Sequence, residues 1–246
     1  MGEPEPIVDL KFFKIGVFVS TLANNFIVFM GLIGAIFLIP IFAETFLGYS
    51  ATQTGYLFIP LAIAMMIAAP IGGRLIGRVK PSYVIFASTF VAGLAMLLLS
   101  GIDARSTALQ LSIPMSILAF GLGFGMAQRT NLVAVVVPHD EIGEASAILA
   151  LVRNISGAFG VAIFSTLLTN TINSKVLSIA QNSTLRTLAP QVREQFTALI
   201  ILKAQVASYG FVFEVAAFVI MIGSFAAFLI NVPKEALSHE QVVIAE

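Results

Sequence analysis

Long runs of apolar residues follow one another along the chain and are separated by short polar turns. Four stretches, 15–43, 45–73, 81–102 and 106–128, contain no charged side chain. The hydrocarbon core of a bilayer is about 30 Å thick and an α-helix rises about 1.5 Å per residue, so a span needs roughly 20 apolar residues. Each of these stretches is therefore long enough to cross a membrane.

Two further apolar runs each contain one charged residue: Arg153 interrupts the fifth run, and Glu214 interrupts the sixth. The whole pattern predicts six transmembrane helices, at 15–43, 53–75, 81–102, 107–135, 143–173 and 205–231. The segments between and around them predict a cytoplasmic lead at 1–14, a long external loop at 174–204 and a cytoplasmic tail at 233–246.

The fold class follows from the same runs. Unpaired backbone groups in lipid cost several kcal/mol each, so only helices and closed barrels span a bilayer, and the runs lack the two-residue alternation of a barrel strand. Hydrophobic residues make up 58% of the chain, charged residues 11%, and the mean hydropathy is +0.98, which excludes an ordinary soluble domain. The sequence predicts an all-α integral membrane protein in the lipid bilayer.

Composition also excludes several kinds of function. The chain has no cysteine and two histidines, so thiolate metal sites and cysteine nucleophiles are absent. Its basic residues stand singly in turns rather than in a stripe, which argues against nucleic-acid binding. The aspartates Asp9, Asp103 and Asp140 all lie outside the predicted spans, which argues against an intramembrane protease. We expect neither an enzyme nor a bound metal or cofactor.

The distribution of Lys and Arg predicts the orientation of the chain in the membrane. One side is assigned Lys11, Lys14, Arg74, Arg78, Lys80, Arg129 and Lys234, and the other Arg105, Lys175, Arg186, Arg193 and Lys203. Four of the latter five lie in the long loop. The bias places both termini in the cytoplasm, in a multi-pass protein of the cell's inner (plasma) membrane. The first 14 residues lack the features of a cleavable signal peptide, so the first span is expected to direct insertion.

Arg153 and Glu214 are the candidate functional charges. A charge at mid-bilayer depth costs about 2.5 to 3.5 kcal/mol on insertion scales, so a partner or an aqueous cavity is expected. Their predicted depths differ by only a few ångströms, which suggests an ion pair between helices five and six. Either a static clamp or a role in transport is consistent with such a pair. Amide groups are expected at a similar depth, from Asn154, Asn24 and Asn25.

Two segments resemble one known family. FLIPIFAETFLGYSATQTGYLFIPLAIAMMIAAPIGGRLIGRVKP and PHDEIGEASAILALVRNISGAFGVAIFSTLL are similar to the C-terminal half of a major facilitator superfamily transporter, and most similar to the fourteen-span drug:proton antiporter branch. The resemblance covers roughly residues 7–231 and implies six helices in a 3+3 repeat. It identifies Arg153 with the family's helix-five arginine and does not extend to Glu214.

The resemblance also implies a cytoplasmic gating loop at Arg74, Arg78 and Lys80. Gly77 replaces an acidic residue of the family's pattern there, which argues against a latch based on charge. The expected function is that of one half of a proton-coupled efflux permease for small amphipathic organic compounds, such as cationic drugs. Its partners would be protons and an N-terminal half or a second copy. The alternative is a non-transporting, degenerate half or scaffold that needs a partner half for activity.

Overall fold

The computed structural model describes residues 10–182 and 190–230, which form six α-helices and three short 3-10 turns. All six helices are long and apolar enough to cross a membrane, and the described residues contain no strand. The predicted all-α class and the six spans are therefore confirmed. The helices are α1 (Gly16–Phe46), α2 (Ala51–Gly73), α3 (Pro81–Ser100), α4 (Ala108–Val136), α5 (Ile142–Asn182) and α6 (Pro190–Ala226).

Local sequence explains several helix ends. Ser50 and Gln53 form a capping box at the start of α2, because the Gln53 backbone N–H donates to Ser50 Oγ and the Ser50 backbone N–H donates to Gln53 Oε1. Pro81 occupies the first turn of α3, where its missing N–H leaves no hydrogen bond unmade. The turn before it contains Gly77 with φ +72°, a left-handed conformation that favours glycine over the family's acidic residue.

Helices α5 and α6 are longer than the sequence predicted. The segment predicted as an external loop, 174–204, continues α5 to Asn182 and begins α6 at Pro190, while residues 183–189 lie outside the described part of the chain. With 41 residues, α5 is about 61 Å long, twice the thickness of a bilayer core. The prediction ended early because hydropathy identifies only the apolar part of a helix, and both helices continue beyond their apolar parts. The Lys175 ammonium group donates to the Ala207 carbonyl and joins the extension of α5 to α6.

The helices form an arc rather than a closed ring. The extensive contacts run in the order α2–α4–α3–α6–α1–α5, and α2 and α5, at the two ends of the arc, make few or no contacts with each other. The first three helices correspond to the last three, with α1 equivalent to α4, α2 to α5 and α3 to α6. Under this correspondence the α2–α4 contact is equivalent to the α5–α1 contact, and the α3–α4 contact to the α6–α1 contact. This symmetry of contacts is that of the predicted 3+3 repeat.

Glycines allow two of these helix pairs to approach closely. A Cβ atom on Gly160 of α5 would overlap the Met30 carbonyl of α1, and one on Gly72 of α2 would overlap the Phe124 carbonyl of α4. Backbones therefore touch at both symmetry-related contacts, α1–α5 and α2–α4. Close approach through small residues is a main source of helix association in lipid, where no hydrophobic effect drives helices together.

Apolar clusters enclose the interior of the bundle. The largest one contains residues of all six helices, and Phe42, Leu99 and Phe213 are among its fully buried members. A second cluster lies at the predicted cytoplasmic end, where Phe18 packs with Val133 and Leu149. Asn24 and Asn25 on α1, and Gln128 and Arg129 on α4, lie between these two clusters along their helices.

Candidate functional site

A fully buried arginine occupies the interior of the bundle. Arg129 lies in α4, seven residues before its end at Val136, and is 1% exposed. Its Nε donates to Asn24 Oδ1 at 3.3 Å, and its Nη2 donates to Thr89 Oγ1 at 2.5 Å. One guanidinium group thus joins α4 to α1 and to α3.

Asn24 extends this connection to a fourth helix. Its Nδ2 donates to the Gly223 carbonyl of α6 at 2.6 Å. We call Asn24, Thr89, Arg129 and the Gly223 carbonyl the interior polar cluster. Asn24 and Thr89 each lie eight residues from the start of their helices and Arg129 seven from the end of its own, so all three lie about 11 to 12 Å from the same end of the bundle.

The orientation count was wrong about Arg129. That count assigned it to a cytoplasmic loop because the uncharged run ends at Gln128, whereas the helix continues to Val136 and buries it. The signal was present in the sequence, since the apolar residues that follow Arg129 extended the predicted helix to 135. An arginine six residues inside a predicted span should have been treated as an intramembrane charge.

The second intramembrane arginine lies farther from the predicted cytoplasmic end. Arg153 is eleven residues from the start of α5, or about 16 Å along the helix, near the middle of a bilayer core. Its side chain is half-buried, and the guanidinium carbon lies 4.7 Å from the centroid of the Phe29 ring of α1. The cation–π contact stabilises the charge, but Nε is buried without a hydrogen-bond partner. Arg153 is also close enough to Arg129 for the two charges to repel.

The hypothesis of an ion pair between Arg153 and Glu214 is not supported. The described residues contain no salt bridge between them, and Glu214 is exposed on α6. It belongs to an outward stripe whose neighbours one turn away are the exposed Phe211 and Phe218. Similar depth did not imply contact, because depth says nothing about which face of a helix a residue occupies.

The predicted amides lie in different surroundings. Asn25 is fully buried; its Nδ2 donates to the Thr21 carbonyl at 3.0 Å, while its Oδ1 has no partner. Asn154, next to Arg153, is exposed. Gln128, which sequence reasoning did not single out, is fully buried, and neither atom of its amide has a hydrogen-bond partner. Buried polar groups normally have partners, so Asn25 and Gln128 carry unused hydrogen-bonding capacity.

A model of one family matches most of the chain. The model described as the Major Facilitator Superfamily covers residues 2–161, which is more than half of the sequence. The chain belongs to the major facilitator superfamily. This result confirms the membership that the sequence predicted.

Superfamily relatives include several proteins named for drug resistance. The chain is 28% identical to the multidrug transporter MdtP of Bacillus subtilis over 159 residues, which are 65% of this chain and 29% of MdtP. It is 26% identical to the lincomycin resistance protein LmrB of Listeria innocua, over 67% of this chain and 35% of LmrB. It is 27% identical to the colistin resistance protein EmrB of Acinetobacter baumannii, over 74% of this chain and 36% of EmrB. The chain thus spans about a third of the length of these curated relatives.

The basic residues of the superfamily's α2–α3 turn all face solvent. Arg74 follows the last residue of α2, and Arg78 and Lys80 lie in the turn itself. The Lys80 ammonium group is 6.0 Å from the centroid of the Tyr83 ring. Within the described part of the chain, no salt bridge involves these three residues. Their role in gating stays a prediction.

Proposed function

We propose that the chain forms one six-helix half of a proton-coupled permease that exports small amphipathic compounds, drugs among them, across the plasma membrane. The other half lies elsewhere on the same polypeptide, on another chain or on a second copy. Together the two halves enclose the transport cavity, and both termini of this chain lie in the cytoplasm.

One observation carries this proposal. A half-exposed arginine, Arg153, lies near mid-bilayer depth beside an exposed asparagine, in a superfamily whose members move solutes. A charge at that depth is costly unless it meets water, a ligand or a partner, and residues of this kind typically mark substrate or ion pathways. The names of the relatives support drugs as substrates, and the open arc between α2 and α5 supports a second half.

The proposal also assigns the proton-carrying group. No carboxylate of the described residues lies within 4.0 Å of Arg129 or Arg153. Glu214 is exposed on α6 and does not face the interior of the bundle. We therefore place the proton-binding acid on the other half, and assign to this half the binding wall of the cavity.

Flux measurements in everted membrane vesicles test this function. Vesicles would contain the chain alone, two copies in tandem, or the chain fused behind the first half of MdtP, and would be supplied with ethidium or fluorescein under an imposed pH gradient. We expect gradient-dependent uptake of one dye in at least one arrangement, lowered about tenfold by Arg153→Gln and unchanged by Arg105→Gln in the exposed α3–α4 loop. A lack of flux in all three arrangements would favour the non-transporting scaffold.

A further inference from the structure

The interior of this half carries positive charge without a matching negative one. Arg129 and Arg153 both lie within the spans, and the acidic residue nearest their depth, Glu214, pairs with neither. An uncompensated cation inside a protein is unfavourable, and an anion within about 4 to 6 Å stabilises it. The charge balance therefore calls for an anion that this part of the chain does not supply.

The two arginines differ in their hydrogen-bond partners and in their exposure. Arg129 is completely buried, and its Nε and Nη2 already donate to Asn24 and Thr89. Arg153 has no hydrogen-bond partner among the described residues, its Nε is buried and unpartnered, and its side chain is half-exposed. An entering anion can therefore reach Arg153 and not Arg129. A carboxylate matches the guanidinium fork and accepts two hydrogen bonds from it.

The surroundings of Arg153 are aromatic. Its guanidinium lies over Phe29, and the rings of Phe26 and Phe159 lie 6.1 Å apart at the same α1–α5 contact. Phe159 is 54% exposed, so this contact presents an aromatic surface outward. An aromatic ring of a ligand can pack against Phe29 while its charged group meets Arg153.

From this arrangement we propose that Arg153 binds the carboxylate of an aromatic amphipathic anion. The proposal rests on the proposed function and narrows its substrate class. It reverses the expectation of organic cations, because a cation at this position would meet two positive charges and no negative one. Phe29 provides the apolar part of the site, and the nearby positive charge of Arg129 adds long-range attraction.

Binding of two dyes with the same ring system tests the proposal without requiring transport. Fluorescein is a carboxylate anion, and tetramethylrhodamine methyl ester is a cation built on the same xanthene. We expect fluorescence anisotropy with the purified full chain in detergent to show fluorescein binding at least about tenfold tighter than the cation. Arg153→Gln should weaken fluorescein binding about tenfold and leave binding of the cation unchanged or tighter.

Two further variants distinguish an effect of the Arg153 charge on binding from an effect on folding. Arg153→Lys keeps the charge and loses the fork, so it should retain part of the fluorescein affinity. Arg105→Gln makes the same chemical change as Arg153→Gln at the exposed α3–α4 loop and should have no effect. Tighter binding of the cation, failure of both dyes to bind, or an Arg153→Gln effect below about twofold with normal thermal unfolding would overturn the proposal. Flux without this preference defeats only the inference, and the preference without flux defeats only the proposed function.

Discussion

Replacing Gly72 by valine is expected to break the α2–α4 contact, whereas the same change at Gly73 is not. A Cβ on Gly72 would overlap the Phe124 carbonyl, and backbone cannot move aside as a flexible side chain does. A Cβ on Gly73 meets nothing within 4 Å. Overpacking typically costs about 1 to 3 kcal/mol, and a clash with backbone lies at the upper end, whereas Gly73→Val makes the same change in helix propensity as Gly72→Val without a clash.

Thermal unfolding of the detergent-solubilised protein measures this difference. For a chain of this size, 3 kcal/mol corresponds to a fall of about 6 to 12 °C in Tm. Gly73→Val should unfold within about 2 °C of the unsubstituted protein. Equal unfolding temperatures for the two valine variants would mean that α2 and α4 do not touch through their backbones.

Replacing Arg129 by methionine is expected to leave stability nearly unchanged, whereas alanine and lysine at this position should lower it. Removing the charge gains about 2.5 to 3.5 kcal/mol. Against this, Asn24 Oδ1 and Thr89 Oγ1 lose their donor, which costs about 1 to 3 kcal/mol. Methionine fills most of the volume of the arginine side chain and leaves no large cavity. The gain from removing the charge and the loss of the two hydrogen bonds therefore nearly cancel. Alanine adds a cavity worth about 2 to 5 kcal/mol.

Lysine at position 129 keeps the unfavourable charge and cannot reach Asn24 and Thr89 with one planar group. The expected order of unfolding temperatures is therefore methionine highest, with lysine and alanine about 4 °C or more below it. If lysine were as stable as arginine while methionine unfolded earliest, an anion absent from our account would compensate Arg129. The stability of the methionine variant would imply that the arginine serves transport rather than folding.

The sequence determined the architecture well because membrane spans leave a strong pattern. Uncharged runs longer than 20 residues predicted α1 to α4 within a few residues. The segment 174–204 was predicted as a loop because hydropathy reports lipid burial. A helix that continues past its apolar run, as α5 does to Asn182, has no such signature.

The site was harder to predict because it depends on helix rotation. Arg153 was identified from its charge alone, but its contact with Phe29 requires knowing which faces of α1 and α5 meet. Glu214 has the same kind of sequence signal and lies on an exposed stripe instead. Arg129 was assigned to a loop, although it belongs to the interior polar cluster, whose hydrogen bonds join four helices. Single-sequence periodicity does not fix such rotations.

In the function we propose, Arg153 and Asn154 border an aqueous path while the outer stripe of α6 faces lipid. The chain contains no cysteine, so single cysteines can be introduced without a background. Asn154 and Phe218 are both exposed; Asn154 lies about 18 Å from the start of α5 and Phe218 about 12 Å from the end of α6, so both fall within a bilayer core.

Modification of Asn154→Cys and Phe218→Cys by a hydrophilic maleimide in intact membranes is the most direct test. Thiolates form in water and not in hydrocarbon. We expect the cysteine at 154 to react at least about tenfold faster and to be protected by fluorescein, while the cysteine at 218 reacts only after denaturation. An unreactive cysteine at 154, or equal rates at the two positions, would contradict it.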